Sequence, residues 1–143
     1  MNNKIVILAS DHAGFELKEA IKIFLLKKRR KVLDLGTTNN KSVDYPDFAH
    51  SLSKKINTKK NSIGILVCGS GTGMTMTANK HKNIRAALCY DIKSTRLSRE
   101  HNDANVISLG ARLIKKKTAL KFVNIFLKTV FKGGRHLRRV KKI

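Results

Sequence analysis

Five short apolar runs, each followed by a segment with helical periodicity, constrain the fold of this chain more than any other feature. The runs lack the alternation of polar and apolar residues that marks a half-exposed strand, so they are typical of strands covered on both faces. They occupy residues 5–9, 31–35, 63–67, 84–89 and 105–109. Strands that alternate with helices at this spacing predict a parallel sheet with helices on both faces, in one domain over residues 1–143.

The segments between the runs predict the helices. Residues 15–26 carry apolar side chains close to a helical period, and Asp47 is a plausible N-cap for a helix that ends at Ile56. Further helices are expected at residues 74–79, 92–100 and 113–131, and residues 133–143 are expected to form a basic tail.

The net charge of +22, from 31 Lys and Arg against 9 Asp and Glu, has two readings. One is a nucleic-acid-binding face, and the other is a solvated lysine-rich surface. The lysines are scattered over predicted loops and polar helix faces, and aromatic residues are not interleaved with them as stacking platforms. We therefore expect no specific nucleic-acid partner, and we hypothesise that A/T-rich codon bias raised the lysine content.

The chain has no apolar run of the ~20 residues that a membrane span needs. Its N-terminus leads directly into the first apolar run, which is too short for a signal sequence. The two cysteines, Cys68 and Cys89, are too few for a disulfide framework and lack metal-ligand spacing. These observations predict a cytoplasmic protein with reduced thiols, no membrane contact and no metal site.

Polar residues that can bind a ligand or take part in catalysis lie at the ends of the predicted strands, where parallel sheets bind ligands. The third strand leads into a glycine loop, Cys68-Gly69-Ser70-Gly71-Thr72-Gly73, whose N–H groups can surround an anion. Asp11 and His12 follow the first strand, and His101 and Asn102 precede the fifth. Each feature also has a purely structural reading: the loop as a tight turn, Asp11 as an N-cap, and His101 with Asn102 as a helix end.

The tail adds a pair of cations. Arg135 and Arg139 are four residues apart, so a helical tail would place both guanidinium groups on one face, where they suit a phosphate dianion. The structural alternative is a frayed basic terminus.

Over nearly its whole length the chain resembles the B-type ribose-5-phosphate isomerases, in the wider group that includes the galactose-6-phosphate isomerase subunits. The resemblance rests on Ser10-Asp11-His12-Ala13-Gly14-Phe15, Asp44-Tyr45-Pro46, the glycine loop, Asn79-Lys80, Ile84-Arg85-Ala86, Arg99-Glu100-His101-Asn102-Asp103-Ala104-Asn105, Gly110-Ala111-Arg112 and Gly133-Gly134-Arg135-His136. It implies a Rossmann-like three-layer α/β/α sandwich. It also implies a metal-independent aldose–ketose isomerase that interconverts ribose 5-phosphate and ribulose 5-phosphate through an enediolate, without a cofactor.

The resemblance assigns a role to each candidate residue. Cys68 matches the base that moves a proton between C2 and C1. Some relatives have a glutamate as the base at the position of Met74, but methionine cannot accept a proton. His101 matches the residue that opens the furanose ring, Asp11 and Ser70 contact or protonate substrate oxygens, and the N–H groups of the glycine loop stabilise the enediolate. The implied substrate-binding set is Asp11, His12, Tyr45, Gly69, Ser70, Gly71, Thr72, Gly73, Asn102, Arg112, Arg135, His136 and Arg139.

The resemblance further implies a homodimer with shared active sites, and leaves a tetramer of dimers open. His101, Asn102 and Arg112 are expected from one subunit, and Asp11, His12 and the glycine loop from its partner. Two other functions stay open at this point: isomerisation of a six-carbon sugar phosphate such as allose or galactose 6-phosphate, and a basic nucleic-acid-binding module.

Overall fold

A parallel sheet of five strands forms the centre of the computed structural model, which describes residues 3–143. The strands are β1 (Ile5–Ser10), β2 (Val32–Asp34), β3 (Ser62–Cys68), β4 (Ala86–Leu88) and β5 (Val106–Gly110). Their order across the sheet is β2-β1-β3-β5-β4, and every neighbouring pair is parallel. The predicted parallel α/β sheet is confirmed.

Helices cover both faces of this sheet. They are α1 (Phe15–Lys27), α2 (Tyr45–Thr58), α3 (Thr72–Ala78), α4 (Ile92–Glu100), α5 (Lys116–Lys128) and α6 (Arg135–Val140). Apolar residues of α1 and α5 pack on one face, and those of α2 and α3 pack on the other. Within residues 3–143 no helix has the combination of length and apolar character that crossing a membrane requires.

The two faces of β1 and β3 are both buried, which explains their continuous apolar sequences. Val6 and Leu8 belong to the core under α1 and α5, whereas Ile7 and Ala9 belong to the core under α2 and α3. Successive side chains of a strand point to opposite faces, so a strand between two helical layers needs apolar residues at every position. Burying each large aliphatic side chain contributes about 1.5–3 kcal/mol.

The order in which the chain adds strands to the sheet changes direction between β1 and β3. From β1 the chain crosses to β2 on one side and then returns to β3 on the other. Ser10 lies opposite Val67, and Cys68 lies opposite Gly110, so the carboxyl ends of β1, β3 and β5 are level with one another. Such a reversal leaves a crevice beyond the strand ends, which is the usual ligand position in open parallel sheets.

Several helix boundaries differ from those predicted, and α2 and α5 show why. Helix α2 begins at Tyr45 with Asp44 in an extended conformation before it, so the predicted N-cap, Asp47, lies in the first turn instead. Pro46 fits this start because the first turn needs no N–H from it. Helix α5 is shorter than the predicted 113–131, because residues 113 and 114 form a turn on Gly110 and Thr129 is extended, with its oxygen accepting a bond from Arg99 Nε at 3.3 Å.

Candidate active site

A cavity of about 420 Å³ opens at the carboxyl ends of β1, β3 and β5. The lining residues are Asp11, His12, Ala13, Tyr45, Cys68, Gly69, Ser70, Gly73, Arg112 and Leu113. The structure thus brings together eight residues that the sequence analysis singled out, although they are separated by up to a hundred positions in the chain.

Cys68 is the last residue of β3, and its side chain is 4% exposed. The Gly71 N–H donates a hydrogen bond to Cys68 Sγ at 3.1 Å. The Gly71 N–H is thus a donor from which the thiolate, the nucleophilic and basic form of a thiol, can accept a hydrogen bond. The thiol is therefore placed at the wall of the cavity with one donor already directed at it.

The glycine loop does not leave all of its N–H groups for a ligand. The Gly71 N–H is used on Cys68 Sγ, and the Thr72 N–H donates to Ser70 Oγ at 3.3 Å. Gly69, Ser70 and Gly73 line the cavity, whereas Gly71 and Thr72 are not among its lining residues. The prediction that the N–H groups of residues 69–73 all face the substrate is wrong for these two.

Asp11 secures a turn and lines the cavity, but it is not the N-cap of α1, because that position is occupied by Gly14. Its Oδ1 accepts a hydrogen bond from the Gly14 N–H at 3.0 Å, which secures the turn before α1. The same carboxylate lines the cavity and is 6% exposed. One carboxylate has two oxygens with several acceptor positions, so this turn bond leaves Asp11 able to contact a substrate hydroxyl.

His12 is oriented by the loop before α2. The Val43 N–H donates to His12 Nδ1 at 3.1 Å, so Nδ1 is an acceptor. The neutral imidazole consequently carries its proton on Nε2. His12 lines the cavity, and this tautomer can donate a hydrogen bond to an anionic substrate oxygen.

Tyr45 lies across the glycine loop at the start of α2. A Cβ built on Gly73 would stand 2.5 Å from Cε2 and Cζ of the Tyr45 ring and 2.9 Å from its hydroxyl oxygen. An alanine at position 73 would therefore have to displace the Tyr45 ring. The close approach also explains how α2 and α3 together form one wall of the cavity.

Replacing Gly73 with alanine should therefore displace the Tyr45 ring. We expect Gly73→Ala to lower the catalytic efficiency about tenfold or more, because small misplacements in a site of this kind are costly. The measurement is steady-state kinetics beside thermal unfolding, with the double variant Gly73→Ala/Tyr45→Ala as the comparison. If contact with the Tyr45 ring causes the loss, adding Tyr45→Ala to Gly73→Ala should lower the activity little further. If the double variant instead loses activity by the product of the two separate factors, that contact is not the cause.

Arg112 reaches the cavity from the turn after β5. Its backbone N–H donates to the Gly69 oxygen at 2.9 Å, and its guanidinium Nη1 lies 3.1 Å from where a Gly69 Cβ would stand. Arg112 thus lines the same cavity of the same chain as Asp11 and Cys68. The expectation grouped Arg112 with His101 and Asn102, whereas in the structure of one chain it lies with Asp11 and Cys68.

His101 and Asn102 are not among the residues that line the Cys68 cavity. His101 follows α4 and stacks on His136 of α6, with ring centroids 4.1 Å apart and an interplanar angle of 10°. Asn102 lines a separate cavity beside β4. The predicted site residues of this chain therefore form two groups, one around Cys68 and one around His101 and α6.

The tail contains a short helix, which is the condition under which the arginine spacing places both guanidinium groups on one face. Arg135 and Arg139 occupy α6, which begins after Gly133 and Gly134, both with positive φ. His136 of the same helix is 9% exposed, and burial, followed by the neighbouring His101 and the two arginines, lowers its pKa. A neutral His136 lets the stack on His101 form beside the arginine pair without adding a further positive charge.

The sequence analysis missed Leu113 as a cavity residue. It was assigned to the long helix, yet it lies in the turn between β5 and α5, beside Arg112. Leu113 is 58% exposed. The available signal was its position directly after Arg112 at a strand end.

Comparison with known proteins identifies the family. The Ribose/Galactose Isomerase family matches residues 6–143. A probable ribose-5-phosphate isomerase B of Mycoplasma pneumoniae is 46% identical over 144 residues, covering 100% of this chain and 94% of the relative.

Solved structures are equally similar. A ribose 5-phosphate isomerase from Thermotoga maritima is 47% identical with a TM-score of 0.94, covering 97% of this chain and 96% of that one. Ribose-5-phosphate isomerase B from Mycoplasma genitalium, solved with bound ribulose-5-phosphate, is 40% identical with a TM-score of 0.94 and covers 99% and 95%. The fold, the cavity and these similarities together mean that the chain belongs to the ribose/galactose isomerase family.

Proposed function

We propose that this protein is a B-type ribose-5-phosphate isomerase, which interconverts D-ribose 5-phosphate and D-ribulose 5-phosphate. The observation that carries the proposal is the Cys68 thiol at the end of β3, with the Gly71 N–H on its sulfur and Asp11, His12 and Arg112 around the same cavity. The relative with bound ribulose-5-phosphate, 40% identical over 99% of this chain, supports it.

The reaction needs a base that can hold one proton and return it. The Cys68 thiolate takes the proton from C2 of open-chain ribose 5-phosphate, and the C–H electrons form the C1=C2 bond of an enediolate with its charge on O1. Asp11 relays the O2 proton to O1. The enediolate then collapses to the C2 ketone while the Cys68 thiol returns its proton to C1. Donors that favour charge present only in the intermediate contribute most to such a rate.

The enediolate lies against the part of the loop that faces the cavity. Gly69, Ser70 and Gly73 provide this wall, and Ser70 Oγ already accepts the Thr72 N–H, so its own hydroxyl proton is directed elsewhere. We assign this hydroxyl to a substrate oxygen. Removing a donor of this type from an acyl-transfer site typically costs about 3–4 kcal/mol.

Ring opening requires a second acid–base group, and we assign it to His101. Since His101 and Asn102 lie away from the Cys68 cavity of their own chain, we propose that they complete the cavity of a second subunit. The active protein is then a homodimer with shared sites; a tetramer of such dimers stays a prediction. Symmetric dimers commonly place identical patches in contact, which creates two equivalent composite sites.

We assign binding of the substrate's phosphate group to His12, Arg112 and helix α6. Arginine forks on one helical face suit a dianion, and Arg135 and Arg139 share such a face. We place His136 beside them. In this proposal residues 133–143 are an integral part of the single isomerase domain over residues 1–143, because they supply the phosphate contacts.

The location and the remaining partners follow from the same assignment. Both cysteines are free, which is compatible with the reducing cytoplasm that we propose. No specific nucleic acid, membrane or cofactor is part of the proposal. The +22 charge comes from 31 Lys and Arg against 9 Asp and Glu, and four of those carboxylates, on Glu19, Asp34, Glu100 and Asp103, form ion pairs.

A direct assay decides between the pentose and hexose alternatives. The purified protein is offered ribose 5-phosphate, allose 6-phosphate and galactose 6-phosphate in coupled assays under the same conditions. We expect the highest kcat/KM for ribose 5-phosphate. A higher value for either hexose phosphate would contradict the proposed substrate, and no turnover of any of the three, together with salt-sensitive RNA binding that has base preference, would favour the nucleic-acid alternative.

The phosphate assignment predicts the effect of Arg135→Ala. We expect KM for ribose 5-phosphate to rise about tenfold or more with a smaller change in kcat, since a charge-assisted contact to phosphate contributes roughly 1.5–3 kcal/mol. Arg138→Ala is the matched control, because it removes the same charge from the same helix at a different helical position. An unchanged KM in Arg135→Ala would remove α6 from the phosphate site.

A further inference from the structure

Ser108 is a fully buried polar residue outside the predicted active site. It occupies the middle of β5, opposite Leu66 of β3 and Leu88 of β4, and has no exposed surface. Its hydroxyl donates a hydrogen bond to the Gly71 carbonyl oxygen at 2.8 Å. A polar side chain in the core of a sheet therefore holds one peptide group of the glycine loop.

The Gly71 residue that Ser108 holds is also the one that contacts the thiol. The Gly71 N–H donates to Cys68 Sγ at 3.1 Å, and its backbone is left-handed with φ of 79° and ψ of −17°. The carbonyl and the N–H of one residue are joined only through its φ and ψ. Fixing the carbonyl therefore restricts the direction in which the N–H points.

The hydrogen bond from Ser108 comes from a different secondary-structure element than the other hydrogen bonds to the Gly71 carbonyl. The N–H and Oγ1–H of Thr75 also donate to the Gly71 oxygen, at 3.1 and 2.8 Å. Thr75 belongs to α3, so these bonds move together with the helix that the loop begins. Ser108 belongs to the sheet, which also carries Cys68, so its bond sets the loop relative to the thiol.

The packing around Gly71 supports this role. A Cβ built on Gly71 would lie 2.6 Å from Leu88 Cδ1, 3.0 Å from the Leu109 carbonyl carbon and 3.2 Å from the Gly110 nitrogen. The loop is pressed against β5 and the neighbouring strand, and the Ser108 hydroxyl is directed into this contact.

We propose that Ser108 is a positioning residue for Cys68: it holds the Gly71 peptide so that the Gly71 N–H stays on the sulfur and stabilises the thiolate. Its catalytic consequence rests on the proposed isomerase function, whereas its effect on the thiol does not. Ser108 touches no substrate in this proposal and transfers no proton.

The first test measures the thiol without any substrate. In a Cys89→Ala background, Cys68 is the single cysteine, and its reaction with iodoacetamide reports the thiolate. We expect Ser108→Ala to slow alkylation near neutral pH about three- to tenfold, the range of one net hydrogen bond, and to leave the rate unchanged at about pH 10, where thiols are ionised. Equal rates at neutral pH would overturn the proposal, and a loss of the same size at both pH values would indicate restricted access instead.

Ser53→Ala is the matched control. Ser53 is also fully buried, and its hydroxyl also donates to a carbonyl, that of Ala49 at 2.7 Å, but within α2. Both substitutions delete a buried hydroxyl, so both lower stability by a similar amount. Ser108→Ala should change alkylation while Ser53→Ala should not; equal changes in both would show a general packing effect.

Kinetics adds a second readout. We expect Ser108→Ala to lower kcat for ribose 5-phosphate about three- to tenfold with KM nearly unchanged, and Ser108→Thr, which keeps a hydroxyl, to recover most of the loss. A change confined to KM would overturn the positioning role. If the protein fails to isomerise any sugar phosphate while the alkylation effect is present, the proposed function fails and the role of Ser108 stands.

A measurement on the unsubstituted protein covers the case in which Ser108→Ala does not fold. The chain has nine glycines, so a spectrum of ¹⁵N-glycine-labelled protein has few amide signals. The Gly71 amide proton should shift with pH as Cys68 ionises, and Cys68→Ala should abolish that shift. A Gly71 signal that does not respond to pH would overturn the link between the loop and the sulfur.

Discussion

Cys68→Ala should abolish isomerisation while the protein still folds and binds its substrate. In the proposed mechanism the Cys68 thiol moves the C2 proton, and loss of a general base typically lowers the rate by about 10²–10⁴-fold. We therefore expect kcat to fall by about a thousandfold or more, with ribulose 5-phosphate still bound at nearly the original affinity in calorimetry. Exchange of the substrate C2 proton with deuterated solvent should disappear in parallel, because exchange requires the same proton transfer.

The second cysteine is the control for this experiment. Cys89 is 1% exposed beyond the end of β4, and burial raises the pKa of its thiol, so it is an apolar core residue at neutral pH. Cys89→Ala should keep nearly full activity. A Cys68→Ala enzyme that still isomerises ribose 5-phosphate, or that exchanges the C2 proton, would transfer the base to another group.

Two inactive variants should restore activity when they share a dimer. In a heterodimer of one Cys68→Ala chain and one His101→Ala chain, one composite site carries both substitutions and the other carries neither. Symmetry then predicts about half of the activity of the unsubstituted dimer, although each homodimer is nearly inactive. Different affinity tags on the two chains allow the heterodimer to be purified and assayed.

The matching control pairs two substitutions from the same group of residues. Cys68 and Asp11 line one cavity of one chain, so a heterodimer of Cys68→Ala and Asp11→Asn chains has one defect in each site and should stay inactive. Restored activity in this control would mean that the grouping is wrong. An inactive Cys68/His101 heterodimer would show that His101 does not complete the partner's cavity.

Local sequence patterns were sufficient for the elements of the fold. The apolar runs around Val6 and Ile65 lack alternation because both faces of their strands are buried, and that condition is visible in the sequence itself. The positions of the functional residues after strands followed directly, since parallel strands end at the same edge of a sheet. Cys68, Asp11 and the glycine loop could therefore be assigned to one site before the structure was known.

The tertiary structure alone decided which strand ends are neighbours and which groups they bring into contact. The order β2-β1-β3-β5-β4 places β5 beside β3, so Arg112 joins the Cys68 cavity of its own chain and the Ser108 hydroxyl reaches the Gly71 carbonyl. It also turns the Gly71 N–H toward sulfur rather than toward a ligand. Periodicity reports the environment of each segment, whereas pairing between strands depends on the relative free energies of whole arrangements, and no short stretch of sequence contains that information.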